Sequence, residues 1–142
     1  MKRHTFVTAA VLGLLLLPAL APVYAQSLKV QVPFDFVAAQ ATLPAGEYRV
    51  SQNEPAQGMV RLVGSKGSSA AICLTQGIQS SRPSNTSKLI FNRYGNHYFL
   101  SQVWSQGTDR GQVLRPSKAE REIARTFSKP GKEILTASTS TK

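Results

Sequence analysis

An all-β fold is predicted for this 142-residue chain: an antiparallel meander of six to seven strands, rolled into a small barrel or sandwich, with a short C-terminal helix. Three observations predict it. Apolar and polar residues alternate at period two in one segment after another. The links between those segments are short and rich in Gly, Pro, Asn and Ser. No stretch of helical period lies between two strands, and a parallel sheet would need such crossovers.

The first element is "SLKVQVPFDF" (27–36). Leu28, Val30, Val32, Phe34 and Phe36 alternate with Lys29, Gln31, Pro33 and Asp35, so one face is buried and the other wet. Pro33 cannot donate to a ladder and suggests an edge position or a bulge. "VAAQAT" (37–42) interrupts the pattern, and "LPAGEYRV" (43–50) restarts it. Pro44 suits position i+1 of a type I turn with Gly46 at i+3; Tyr48 and Val50 then continue one face, while Glu47, Arg49 and Ser51 face out. "NEPAQG" (53–58) is the next turn, "MVRLVG" (59–64) a short strand and "GSKGS" (64–68) its loop. "SAAICLTQGIQ" (69–79) carries apolar residues on both faces and reads as a central strand.

After the polar loop "SSRPSNTS" (80–87), "IFNRYGNHYFLSQVW" (90–104) folds back on Gly95-Asn96 as a hairpin with a two-residue turn, type II′ or I′. "GQVLR" (111–115) adds a short seventh strand. In "RPSKAEREIARTF" (115–127), Ser117 and Glu120 match a capping box, with Pro116 just before the cap. Ala119, Ile123 and Phe127 then form a narrow apolar stripe on a helix over 117–127, suited to docking on the sheet or closing a barrel end. "SKPGKEILTASTSTK" (128–142) has little to bury and reads as a flexible tail.

The N-terminus has the layout of a secretory signal over residues 1–25. Lys2, Arg3 and His4 form a basic start, Phe6 to Leu17 an apolar stretch, and "APVYA" a small-residue end, which places cleavage between Ala25 and Gln26. The apolar stretch is shorter than the ~20 residues a spanning helix needs. The expected address is the periplasm or the extracellular space. The remaining chain suits a single β domain (26–127) with its helix, followed by the tail. Cys73 is the one cysteine, so no internal disulfide is available, and its apolar neighbours favour buried packing. Without Lys2 and Arg3, 15 of the 17 basic residues face 7 acidic ones, a net of +8. Such a surface favours anionic partners: lipid headgroups, acidic polysaccharide or acidic proteins rather than nucleic acid.

Catalytic groups do not gather in the sequence. His97 is the one histidine beyond the N-terminus, no cysteine spacing suits zinc, and "GSKGSS" lacks the spacing of a phosphate-binding loop. No metal site and no cofactor is implied. The hairpin offers the best candidate ligand residues. Its turn pairs Tyr94 with His97, Arg93 with Tyr98, Asn92 with Phe99 and Phe91 with Leu100. One face then carries Leu89, Phe91, Arg93, Tyr98, Leu100 and Trp104; the other carries Ile90, Tyr94, His97, Phe99 and Val103. Either one face fills the core and the helix covers the other, with Arg93 stacked on Tyr98, or a face lines a cavity with Arg93, His97, Tyr98 and Trp104 as polar handles.

"VPFDF" (32–36), "LPAGEYRV" (43–50), "RYGNHYFLSQVW" (93–104) and "SKAEREIA" (117–124) together resemble a family of small exported bacterial proteins of uncharacterised activity. That resemblance implies export and a compact β domain, and it carries no catalytic residue or cofactor. "VAAQAT" stands where members of that family tend to have a turn with glycine or asparagine. The expected function is a non-enzymatic exported binding or envelope-interaction module with a basic surface for anionic partners. Alternatives are a small β-barrel carrier of an apolar ligand and a hydrolase built around His97.

Overall fold

Alternation in the sequence becomes a sheet that closes on itself. The computed structural model describes residues 27–53, 58–67 and 69–140. The signal segment expected over residues 1–25, with the Ala25/Gln26 cleavage site expected for it, and residues 54–57 of the "NEPAQG" turn lie outside the described residues. Among those described, ten strands and one helix follow in order: β1 (Ser27–Val32), β2 (Phe36–Ala38), β3 (Ala41–Leu43), β4 (Gly46–Asn53), β5 (Met59–Gly64), β6 (Ala70–Gln79), β7 (Ser87–Tyr94), β8 (His97–Trp104), β9 (Arg110–Leu114), α1 (Lys118–Ala124) and β10 (Gly131–Ser140). Eight strands form a closed antiparallel barrel in the order β8-β7-β10-β1-β4-β5-β6-β9, with β9 returning to β8. The fold is therefore a barrel, and its strand number exceeds the six to seven expected.

The largest difference lies at the C-terminus. Residues 131–140 are not a flexible tail but β10, which pairs with β7 from Gly131↔Arg93 to Ala137↔Ser87 and with β1 at Ser138, Thr139 and Ser140. Of the apolar side chains of β10, Ala137 is buried, Leu135 partly so and Ile134 exposed. The strand is held mainly by backbone ladders on both edges, which a polar, Thr- and Ser-rich sequence supports but does not advertise.

β1 has the expected parity, with Leu28, Val30 and Val32 buried and Lys29 and Gln31 exposed. Pro33 ends the strand instead of sitting within it. The chain then crosses one end of the barrel, where Phe34 packs edge-on to Phe91 (5.2 Å between centroids) and Phe36 packs edge-on to both Tyr48 and Phe91 (5.2 and 5.4 Å). These rings plug that end of the core. The small β2–β3 hairpin turns at Ala39, which takes a left-handed φ of 55° in place of a glycine or asparagine. β2 also meets β8 in parallel at Val37↔Phe99.

The short helix is capped as expected, with Ser117 Oγ accepting from the Glu120 amide at 3.1 Å. Its docking differs from the predicted apolar stripe. Ala119 is exposed, Ile123 half-buried and Phe127 39 % exposed, whereas Glu120 is only 4 % exposed. The helix is fastened by that carboxylate, which accepts from Asn92 Nδ2 (2.7 Å) and Tyr94 Oη (3.2 Å) on the outer face of β7. Lys132 Nζ of β10 donates in turn to Asn92 Oδ1. Among the described residues, no helix is long and apolar enough to cross a membrane.

Candidate functional site

The hairpin turn forms at Gly95, whose φ of 60° fits the first central position of a type II′ turn. The four pairs read from the sequence are all present, from Tyr94↔His97 to Phe91↔Leu100. Beyond them the register shifts: Ile90 pairs with Gln102, so Ser101 is an extra residue on β8. A one-residue bulge reverses the facing of everything beyond it. Val103, expected on the face of Tyr94, His97 and Phe99, instead shares the core face with Phe91 and Leu100 and is fully buried opposite Leu89, while Trp104 moves to the outer face, where its ring is still covered.

The predicted ligand residues are thus separated. Arg93 lies over the Tyr98 ring at 5.4 Å, and Tyr98 also stacks on Phe34 at 3.7 Å, so these two form a packed end of the barrel. His97 is exposed beside the turn. Trp104 sits at the far end of β8, roughly 20 Å from Tyr98 at ~3.4 Å per residue, and on the opposite face from Tyr98. Its indole lies on Gly111, where an added Cβ would stand 2.7 Å from two ring carbons, and its Nε1 donates to Gln102 Oε1 at 2.9 Å. Asp109, a carboxylate that a His97-centred site would need nearby, is also at that far end and accepts from Gln79 Nε2.

The structure brings a different set of residues together. Cross-strand pairing places Lys29 beside Arg49, Arg49 beside Val63, and Ser51 beside Arg61. Since Val30, Tyr48, Val50, Val60 and Leu62 fill the core, these alternate positions all point outward from β1, β4 and β5. They bound a cleft of about 450 Å³, edged by Glu47 and by Gly64, Ser65 and Gly67 of the following loop. Lys29 Nζ is 3.2 Å from Glu47 Oε2; among the described residues this is the one ion pair on that face. Arg49 and Arg61 keep exposed guanidinium groups whose planar donor forks suit phosphate, sulfate or carboxylate oxygens.

Comparison with family models, curated proteins and solved structures finds no match to this chain. The site is therefore read from its own geometry. Sequence reasoning placed Glu47 and Arg49 outward but did not join them to Lys29 and Arg61, because 20 residues separate Lys29 from Arg49 and only strand register makes them neighbours. Cys73 offers no chemistry here. It is fully buried, and burial pushes its thiol up to about 11.

A second feature lies on the neighbouring strand. β6, read from its apolar residues on both faces as a central strand, does lie between β5 and β9. Ala71 and Cys73 do point into the core, but Ile72 and Leu74 are 66 % and 74 % exposed. Ile72 pairs with Arg61 and Leu74 with Met59, so the two aliphatic side chains stand at the margin of the basic face.

Proposed function

We propose that this barrel is an exported, non-catalytic binding module that takes anionic partners on the outer face of β1, β4 and β5. The clustering of Lys29, Arg49 and Arg61 around one cleft carries this reading. Three cations against the single carboxylate of Glu47 leave the lining at +2, and Glu47 is engaged by Lys29. Exposed groups of one sign concentrated on a concave face attract counter-charged ligands more than the same groups dispersed. Export is supported by the sequence of residues 1–25. A carrier of apolar ligands draws less support, because Arg93 and Tyr98 pack at one end of the hairpin and Trp104 on the other face. A hydrolase centred on His97 draws none from Asp109, given the length of β8 between them.

The test is retention of the chain from Gln26 onward, which holds every strand of the barrel, on immobilised dextran sulfate across a salt series. The expected result is binding at low ionic strength that weakens as salt screens it, with Arg49→Ala/Arg61→Ala eluting markedly earlier. Absence of retention at low salt, or an unchanged elution position for the double variant, would overturn the reading.

A further inference from the structure

The aliphatic pair beside the basic face is at odds with a surface evolved only for solubility. β6 alternates Ala71 and Cys73 inward with Ile72 and Leu74 outward, and these two are among the most exposed large apolar side chains of the described residues. Cations flank them on both sides. Arg61 of β5 is the direct cross-strand partner of Ile72, and Arg49 lies one strand further on. On the other side, exposed Arg115 directly follows Leu114, the β9 partner of Thr75. Lys66 stands exposed in the loop between β5 and β6.

We infer that Ile72 and Leu74 insert into the interfacial region of an anionic lipid bilayer while Arg61, Arg49, Arg115 and Lys66 meet its headgroups. The inference rests on the anion-binding reading above and assigns its partner. Two features favour a bilayer over a folded partner. The aliphatic pair projects from the outer wall of a closed barrel, uncovered by any element among the described residues, and two side chains fall far short of the roughly 1,000 Å² that a stable protein interface buries. A bilayer needs no complementary shape: insertion of a few apolar groups and attraction of nearby cations add to each other. Each cation near an anionic surface strengthens partitioning about fivefold, so four flanking cations with two inserted aliphatics give binding that neither set supports alone.

The experiment is co-sedimentation of the chain from Gln26 with vesicles of phosphatidylcholine alone and of phosphatidylcholine with phosphatidylglycerol, beside retention on dextran sulfate. Binding to the mixed vesicles and little to the neutral ones is expected. Ile72→Ser/Leu74→Ser should lower vesicle partitioning by about tenfold or more while leaving dextran sulfate retention unchanged. Arg49→Ala/Arg61→Ala should weaken both. Both sites are exposed, so the melting transition of each variant should stay close to that of the parent and serve as the check on folding. If the serine variant binds mixed vesicles as tightly as the parent, the insertion is refuted while the anion-binding reading stands. Loss of binding to vesicles and polymer alike would remove both. A concentration-dependent dimer that the serine pair abolishes, without vesicle binding, would mean that a second copy covers this face and would also overturn the proposal.

Discussion

Gly111→Ala tests whether Trp104 is a structural side chain or a free ligand handle. Gly111 lies on β9 opposite Trp104, and an added Cβ would meet three indole carbons at 2.7, 2.7 and 2.8 Å. Carbon atoms in contact prefer about 3.5–4.0 Å, so the ring would have to retreat by roughly 1 Å. Overpacking of that kind costs about 1–3 kcal/mol. The opposing effect is known: Gly111 does not have a left-handed backbone, and replacing glycine by alanine at a compatible position stabilises by roughly 0.4–1 kcal/mol through the unfolded state. The net expectation is a loss of about 1–2 kcal/mol.

Trp104 is the only tryptophan, so its emission reports this contact directly. Urea denaturation followed by fluorescence should show a lower midpoint for Gly111→Ala, and the native emission should shift red as the indole leaves the glycine. The sign should reverse in a Trp104→Leu background, where the same alanine becomes neutral to slightly stabilising. If Gly111→Ala stabilises the parent and leaves its spectrum unchanged, the indole does not rest on Gly111. Trp104 would then again be available to a ligand.

Three further expectations concern the barrel itself. A chain ended at Pro130 lacks β10, leaving the edges of β7 and β1 unpaired; it should lose its cooperative thermal transition by circular dichroism, whereas a mere tail would leave the melt unchanged. Ala39→Gly should raise the unfolding free energy by roughly 0.5–1 kcal/mol in chemical denaturation, since a left-handed non-glycine residue costs ~1–2 kcal/mol and glycine's extra flexibility returns part of it. Alkaline pH should destabilise the fold in a defined way. Cys73 rises from 9.0 to about 11 through burial, and Tyr94 is raised by burial first and by the Glu120 carboxylate next, so both are stabilised in their neutral forms. That contribution is fully present below their ordinary values and is lost as pH climbs through the raised ones. For Cys73 the loss falls between pH 9 and about 11, and Cys73→Ala should flatten the pH dependence of the denaturation midpoint in that window.

How far the fold could be read from the sequence depended on whether an element announces itself locally. The hairpin did, because a two-residue turn at Gly95-Asn96 determines the first four pairs without reference to the rest of the chain. The Ser117 cap did too, since the hydroxyl and the amide it serves are three residues apart. The bulge at Ser101 did not: nothing in "FLSQVW" marks the serine as an extra residue, and its effect is to exchange the positions of Val103 and Trp104. That exchange dissolved the predicted grouping of Arg93, Tyr98 and Trp104. Helix docking was hidden for a related reason. The apolar stripe Ala119/Ile123/Phe127 was the visible signal, but Asn92 and Tyr94 offered two donors that a buried Glu120 satisfies, and polar complementarity between distant segments has no signature in either one.

β6 shows where a correct pattern carries two meanings. Apolar residues on both faces of a strand indicate that both faces avoid water, and within one domain the usual cover is a second layer of the same chain. Here β6 is a wall strand of a closed barrel, with one side facing the core and the other facing out; no helix or strand among the described residues covers Ile72 and Leu74. The two-sided apolar pattern thus places the strand in the barrel wall but does not say what its outer side meets. Polar residues at these two positions would leave the barrel equally stable, because surface substitutions away from packed features typically change stability by no more than about 0.5 kcal/mol. Retaining isoleucine and leucine beside Arg61 therefore adds nothing to the fold that serine would not, and their use is to be sought in what the outer face meets.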